Sequence, residues 1–219
     1  MNIVEIFYSL QGEGLLTGVP SVFVRVTGCP IRCTWCDTKY AWDESAGEDL
    51  SIEQILKEVA QFPSKFVVVT GGEPMSNQHL PLLLAKLAGA DCHITVETSG
   101  LAFFPDLPVD LMSISPKLAN AQGGHAEQMP STVILRKLIK HYDYQLKFVV
   151  ETEDDIAEVK GLIDPIKEID LKKVMLMPQA KTRDELLAKS PMVAELCIRY
   201  GFTFCQRLQV LLWDAKRGC

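Results

Sequence analysis

An α/β fold built on a parallel sheet is what this sequence predicts, on three observations. Short, continuous runs of β-branched and aliphatic residues recur along the chain. Segments with helix start signals separate them, and the chemically unusual residues follow the ends of the runs. Continuous apolar runs, unlike alternating ones, suit strands covered on both faces, and strands alternating with helices imply parallel crossovers.

Taken in order, the strands are predicted at Val22–Val26, Phe66–Val69, His93–Glu97, Leu111–Ile114, Gln145–Val150 and Lys173–Met177. Between them, Ser51 with Gln54 and Thr182 with Glu185 have the spacing of capping boxes, in which a hydroxyl and a side-chain acid or amide satisfy the first free amides of a helix. Gly201 suits the end of the last long helix, and Pro191 is expected to break or kink that helix. The tail from Phe202 reads as a last apolar, strand-like stretch followed by Lys216 and Arg217. Ser115 to Pro130 is expected to be a long loop, either at the site or mobile. Six βα units are too few for a closed eight-unit barrel, so periodicity leaves a partial barrel and an open doubly wound sheet as alternatives. In both, ligands gather at the C-terminal ends of the strands.

Composition narrows the function classes. With 22 Lys and Arg against 28 Asp and Glu the formal charge is −6, which argues against a nucleic-acid partner. Apolar residues make up 47% of the 219, enough for a core that buries roughly 70% of the unfolded surface without disulfides. One domain over residues 1–219 is expected. The start of the chain lacks the pattern of a secretory signal, and the most apolar helical stretch, His79 to Ala88, is too short to span a bilayer and contains Lys86. A cytoplasmic protein with no membrane partner is therefore expected. In that compartment the seven cysteines stay reduced and point to metal or catalysis.

Cys29, Cys33 and Cys36 form C-x3-C-x2-C, three thiols within eight residues. Tetrahedral zinc and fully ligated iron–sulfur clusters take four protein ligands. Here Cys92, Cys197, Cys205 and Cys219 are isolated, and no histidine stands at zinc-finger spacing. Three thiols suit a [4Fe–4S] cube with one iron left open. Three buried, inert thiols or a zinc completed by a distant ligand are the other readings.

C-x3-C-x2-C after the first of these strands, followed by Thr70-Gly71-Gly72-Glu73-Pro74 after the next, resembles the radical S-adenosylmethionine (SAM) superfamily. The resemblance implies a partial, six-stranded parallel βα barrel of the radical SAM type. It also implies a [4Fe–4S] cluster held by Cys29, Cys33 and Cys36, with SAM on the open iron. By itself the glycine pair would be a turn. Within the superfamily, Gly71, Gly72 and Glu73 fall where SAM is contacted.

Further motifs are Ser9-Leu10-Gln11-Gly12-Glu13-Gly14, Cys36-Asp37-Thr38, Glu97-Thr98-Ser99-Gly100 and Ser115-Pro116-Lys117. Together they resemble the 7-carboxy-7-deazaguanine synthases. These lyases contract 6-carboxy-5,6,7,8-tetrahydropterin, with loss of ammonia, on the route to queuosine and other 7-deazapurines. The similarity implies that Leu10, Gln11, Gly12, Glu13 and Thr70 touch the pterin, and that Arg25 grips its carboxylate through a guanidinium fork. It places Trp35, Cys36, Asp37, Glu97, Ser99, Ser115, Pro116 and Lys117 at SAM, with Met177, Pro178, Gln179 and Ala180 beside it, and Mg²⁺ on Thr38. Outside that context Arg25 would read as a surface arginine and Thr38 as a helix cap.

The chain departs from the family in lacking a histidine near its C-terminus, where Gln209 is a candidate substitute. Cys219 would act through its terminal carboxylate. No side chain is expected to be a catalytic acid or base, because the radical arises on SAM. A flavodoxin or ferredoxin electron donor and a homodimer are implied. Two other classes share parts of this pattern: an activase that installs a glycyl radical on a partner protein, and a non-catalytic iron–sulfur or zinc protein.

Overall fold

The computed structural model describes residues 1–121 and 131–218. One hydrogen-bonded sheet runs through them. Its strands are β1 (Asn2–Leu10), β2 (Pro20–Val26), β3 (Glu48–Asp49), β4 (Phe66–Gly71), β5 (His93–Thr98), β6 (Leu111–Ile114), β7 (Tyr144–Val150), β8 (Val174–Pro178) and β9 (Thr203–Phe204). The order is β3-β1-β2-β4-β5-β6-β7-β8-β9. β2 and β4 to β8 are the six strands expected from sequence, and each pairs in parallel with the next. The sheet does not close on itself.

Helices α1 (Ile52–Val59), α2 (Leu80–Gly89), α3 (Thr132–His141), α4 (Asp155–Ile163) and α5 (Arg183–Tyr200) lie between strands, and α6 (Leu208–Trp213) follows the last one. The Ser51–Gln54 capping box is complete. At Thr182 only half of one forms: the hydroxyl accepts from Glu185 N, while the Glu185 carboxylate turns back to Lys181 N. α5 runs unbroken through Pro191. Leu186 before the proline and Val193, Leu196 and Cys197 after it are all buried, and this packing outweighs the single lost amide. The helix ends at Gly201, whose φ of 72° is the left-handed cap expected of glycine.

The tail departs from its expected strand-like form. It gives only the short β9 and then α6. Leu208 N donates to Gly12 O and so anchors the start of α6, while Val210 packs beside Ala180 and Leu186. An apolar run of this length has no period that separates helix from strand. β1 lies antiparallel on β2, pairing Glu5 with Arg25 and Phe7 with Phe23. The loop expected at Ser115–Pro130 is irregular to Leu118 and has a 3₁₀ turn at Ala119–Ala121; its remainder lies outside the described residues.

The two faces of the sheet are sorted by the period of two. Val22, Val24, Val26, Val67, Val69, Ile94, Val96, Met112, Ile114, Leu146, Phe148, Val150, Val174 and Leu176 turn to the helices and form one buried apolar cluster. Of the residues between them, Arg25, Thr70, Glu97, Ser113 and Lys147 line a cavity on the other face.

Candidate active site

The cavity has a volume of about 620 Å³, the size of a small-molecule site. Its roof is the loop after β2. Gly28 and Arg32 both have positive φ, at 84° and 59°, which folds the C-x3-C turn back so that Cys29, Cys33 and Cys36 all face the cavity. The loop after β4 is laced to it: Gly72 N donates to Val26 O at 2.9 Å and Glu73 N to Gly28 O at 2.7 Å. A Cβ on Gly72 would stand 2.0 Å from Gly28 O, and one on Gly71, where φ is 127°, 2.3 Å from Val26 O. Close approach of the chain's own loops therefore requires both glycines.

Glu73 is buried. Its carboxylate accepts from Thr98 Oγ1 at 2.6 Å, Met75 N at 3.0 Å, Ser99 N at 2.8 Å and Ser99 Oγ. It therefore ties the β4 loop to the end of β5. Lys117 Nζ donates to Ser115 Oγ at 2.9 Å and lies 5.5 Å from the centre of the Trp35 ring. That ring packs toward Val149 and Met177.

Three thiols without a histidine in the described lining are a donor set that fits an iron–sulfur cluster. Among the described residues, no three His, Cys, Asp or Glu side chains close on one metal position. The described cavity lining holds these three thiols and no histidine. A cube spreads its ligands over several irons, whereas zinc draws four together. Burial pushes the Cys29 thiol above its ordinary range and the Cys33 thiol to about 11. Loading iron must therefore displace protons. Thr38 stands at the start of a 3₁₀ turn but its side chain caps nothing; its hydroxyl lies 3.5 Å from Cys36 Sγ.

The floor carries a connected set of charges. Glu13 Oε2 is 3.0 Å from Lys147 Nζ, and its Oε1 receives Arg207 Nε at 3.2 Å and Gln209 Nε2 at 2.8 Å. Glu97 receives Thr70 Oγ1 at 2.8 Å, Gln11 Nε2 at 3.3 Å and Lys147 Nζ at 3.5 Å. Arg207 also binds Asp37 Oδ2 at 2.5 Å and so joins the floor to the cysteine loop. Burial alone would raise the Glu13 carboxyl, but the Lys147 and Arg207 charges hold it well below the usual carboxylate range. At one side Arg25 Nε donates to Glu5 Oε1 at 2.7 Å, and its guanidinium sits near the Phe7 and Tyr40 rings. Tyr40 OH donates to the same Glu5 oxygen at 2.9 Å. Arg25 is thus a cavity residue and not a surface one.

Of the residues singled out from sequence, Leu10, Gln11, Gly12, Glu13, Arg25, Thr70, Glu97, Ser99, Ser115, Lys117, Met177, Gln179 and Ala180 line this cavity. So do Trp35, Asp37, Thr38, the three cysteines and Gly71 to Glu73. Pro116 and Pro178 do not, and Cys219 lies outside the described residues. His79, His93 and His141 are also away from it. Glu5, Tyr40, Lys147 and Arg207 were not singled out from sequence. A lysine between Leu146 and Phe148 in the largely apolar Tyr144–Val150 run is the available signal.

Residues 23–159 match the family described as the radical SAM superfamily. The 7-carboxy-7-deazaguanine synthase of Halobacterium salinarum is 38% identical over an alignment covering 98% of this chain and 91% of that one. The enzyme of the same name from Pyrobaculum aerophilum is 39% identical, covering all of this chain and 97% of the relative. The crystal structure of QueE from Escherichia coli superposes with a TM-score of 0.75 at 26% identity, over 94% of this chain and 93% of that one. With this cavity, this sheet and these likenesses, the chain belongs to the radical SAM superfamily and, within it, to the 7-carboxy-7-deazaguanine synthase family.

Proposed function

We propose that the protein converts 6-carboxy-5,6,7,8-tetrahydropterin to 7-carboxy-7-deazaguanine with loss of ammonia, as a radical SAM lyase of queuosine and 7-deazapurine biosynthesis. The observation that carries this reading is one cavity in which three thiols face a floor of Glu13, Thr70 and Glu97 with Arg25 at its side. Cys29, Cys33 and Cys36 would hold the [4Fe–4S] cluster. When bound, cluster and SAM together supply the one-electron chemistry that activates a C–H bond.

The chain's own residues bind and orient. Glu5 holds Arg25 Nε and leaves the terminal nitrogens to grip the substrate carboxylate as a fork. Gln11, Glu13 and Thr70 meet the polar edges of the pterin. Glu97 hydrogen-bonds Gln11, Thr70 and Lys147, all on the floor, so we assign it to the pterin in place of the SAM contact expected from sequence. Trp35, Ser99, Ser115, Lys117, Met177, Gln179 and Ala180 take the SAM side. Thr38, whose hydroxyl is not spent on capping, takes Mg²⁺. No protein acid or base is required for the main step; positioning and exclusion of water are the protein's contribution.

Among the described residues no helix is long and apolar enough to cross a membrane. We further propose a cytoplasmic homodimer, each chain one radical SAM domain, reduced by a flavodoxin or ferredoxin. The test is turnover of the carboxypterin by anaerobically reconstituted protein with SAM, Mg²⁺ and reductant. Formation of the carboxydeazaguanine and ammonia without net consumption of SAM is expected. Failure to form product while SAM binds would overturn the reading.

A further inference from the structure

Lys147 has 3% of its side chain exposed, in the middle of a fully buried strand. A lysine is almost never so deeply buried without a partner. Its partners are the two carboxylates of the cavity floor, Glu13 at 3.0 Å and Glu97 at 3.5 Å. We propose that Lys147 is a positioning residue for substrate recognition: its ammonium holds Glu13 and Glu97 as a fixed pair of hydrogen-bond acceptors for a ring edge that carries two adjacent N–H donors.

The donor count supports this. Every neighbour aimed at these carboxylates is a donor. Lys147, Arg207 and Gln209 serve Glu13; Lys147, Thr70 and Gln11 serve Glu97. An ionised carboxylate has about four acceptor positions, so roughly one on each remains for a ligand. A 2-amino-4-oxopyrimidine edge, with its ring N–H beside an amino group, has the matching pattern, whereas a 2-oxo edge places an oxygen against an anion.

Two buried carboxylates without an intervening cation would repel, and one would take up a proton as the pH falls. It would then present a donor where the ligand also has one. The other groups facing the pair are Arg207, which Asp37 shares, and the Cys205 thiol, whose charge interactions reach both Lys147 and Glu13. Burial acting on Lys147 alone would favour the neutral amine, but Glu13 and Glu97 hold it charged, above its ordinary range. Arg207 supports Glu13 from the other side. Glu97 has no second cation among the described residues and is the carboxylate most dependent on Lys147.

The inference rests on the functional reading above, and the experiment separates the two. Binding of 7-carboxy-7-deazaguanine and of its analogue with a 2-oxo group is measured by equilibrium dialysis on the anaerobic holoenzyme with SAM, between about pH 5.5 and 8.5. Wild type should bind the amino compound with nearly constant affinity and reject the oxo analogue. Lys147→Met should lose at least about tenfold in affinity at the acid end, recover part of it at the alkaline end, and discriminate less, with SAM binding unchanged. Lys147→Arg should keep the flat profile.

A flat profile with wild-type discrimination in Lys147→Met would overturn the proposal, as would equal pH-independent losses in both variants. If Lys147→Met does not fold, infrared spectra of wild-type and Glu97→Gln holoenzyme at about pH 6 decide. Loss of a carboxylate band in Glu97→Gln supports the proposal, and loss of a carboxylic-acid band overturns it. Wild type that binds SAM but neither deazapurine would instead overturn the functional reading, and this proposal with it.

Discussion

The helix-facing and cavity-facing sides of the sheet are made from the same strands, yet they obey opposite rules. In β7, Leu146, Phe148 and Val150 join the apolar cluster under the helices, while Gln145 and Lys147 on the other side make side-chain hydrogen bonds. β2 and β5 repeat the division, with Arg25 and Glu97 opposite a row of valines and isoleucine. The helix side derives its free energy from removing apolar surface from water. The cavity side does the reverse: it buries charge and must satisfy each group with a partner, because an unpaired buried ion is far more costly than an exposed one. Stability is therefore concentrated on one face and recognition on the other, only one residue apart in sequence.

Substitutions should separate the two. The largest effect is expected from Cys33→Ser, which should abolish turnover and reduce iron and sulfide loading while leaving the far-ultraviolet circular dichroism unchanged; metal and sulfide analysis checks it. On the helix side, Phe148→Ala should destabilise the protein by about 3–5 kcal/mol through lost burial and a residual cavity, read from denaturant midpoints. Across the sheet, Arg25→Lys should cost less than about 1 kcal/mol in stability yet raise KM for the carboxypterin at least about tenfold, because a point charge cannot form a fork. The smallest effect belongs to Ser51→Ala at the α1 cap, about 1 kcal/mol in stability with kcat and KM unchanged. Equal stability losses for Arg25→Lys and Phe148→Ala would erase the distinction between the faces.

The same contrast explains what was legible in the sequence. The apolar face announces itself as valine-, isoleucine- and leucine-rich runs, so all six parallel strands could be placed. The motif residues at the rim were visible because glycines, cysteines and prolines cluster there. Lys147 and Arg207 were not singled out, since a lone charge in a strand or after one has no spacing signature and acquires meaning only when Glu13, brought from the other end of the chain, meets it. Glu5 was hidden for a related reason: its role depends on antiparallel pairing with β2, whereas the crossovers reveal only parallel neighbours. α6 resembles a strand in the sequence because its six residues show no decisive period.

Cys29, Cys33 and Cys36, with no fourth protein ligand, are proposed to hold an iron–sulfur cluster in contact with SAM at the roof of this cavity. Electron paramagnetic resonance of the anaerobically reduced protein, recorded before and after addition of SAM, tests it directly. A [4Fe–4S] signal that shifts on SAM addition is the result expected. A signal indifferent to SAM, or protein that holds zinc and no sulfide, would contradict the account.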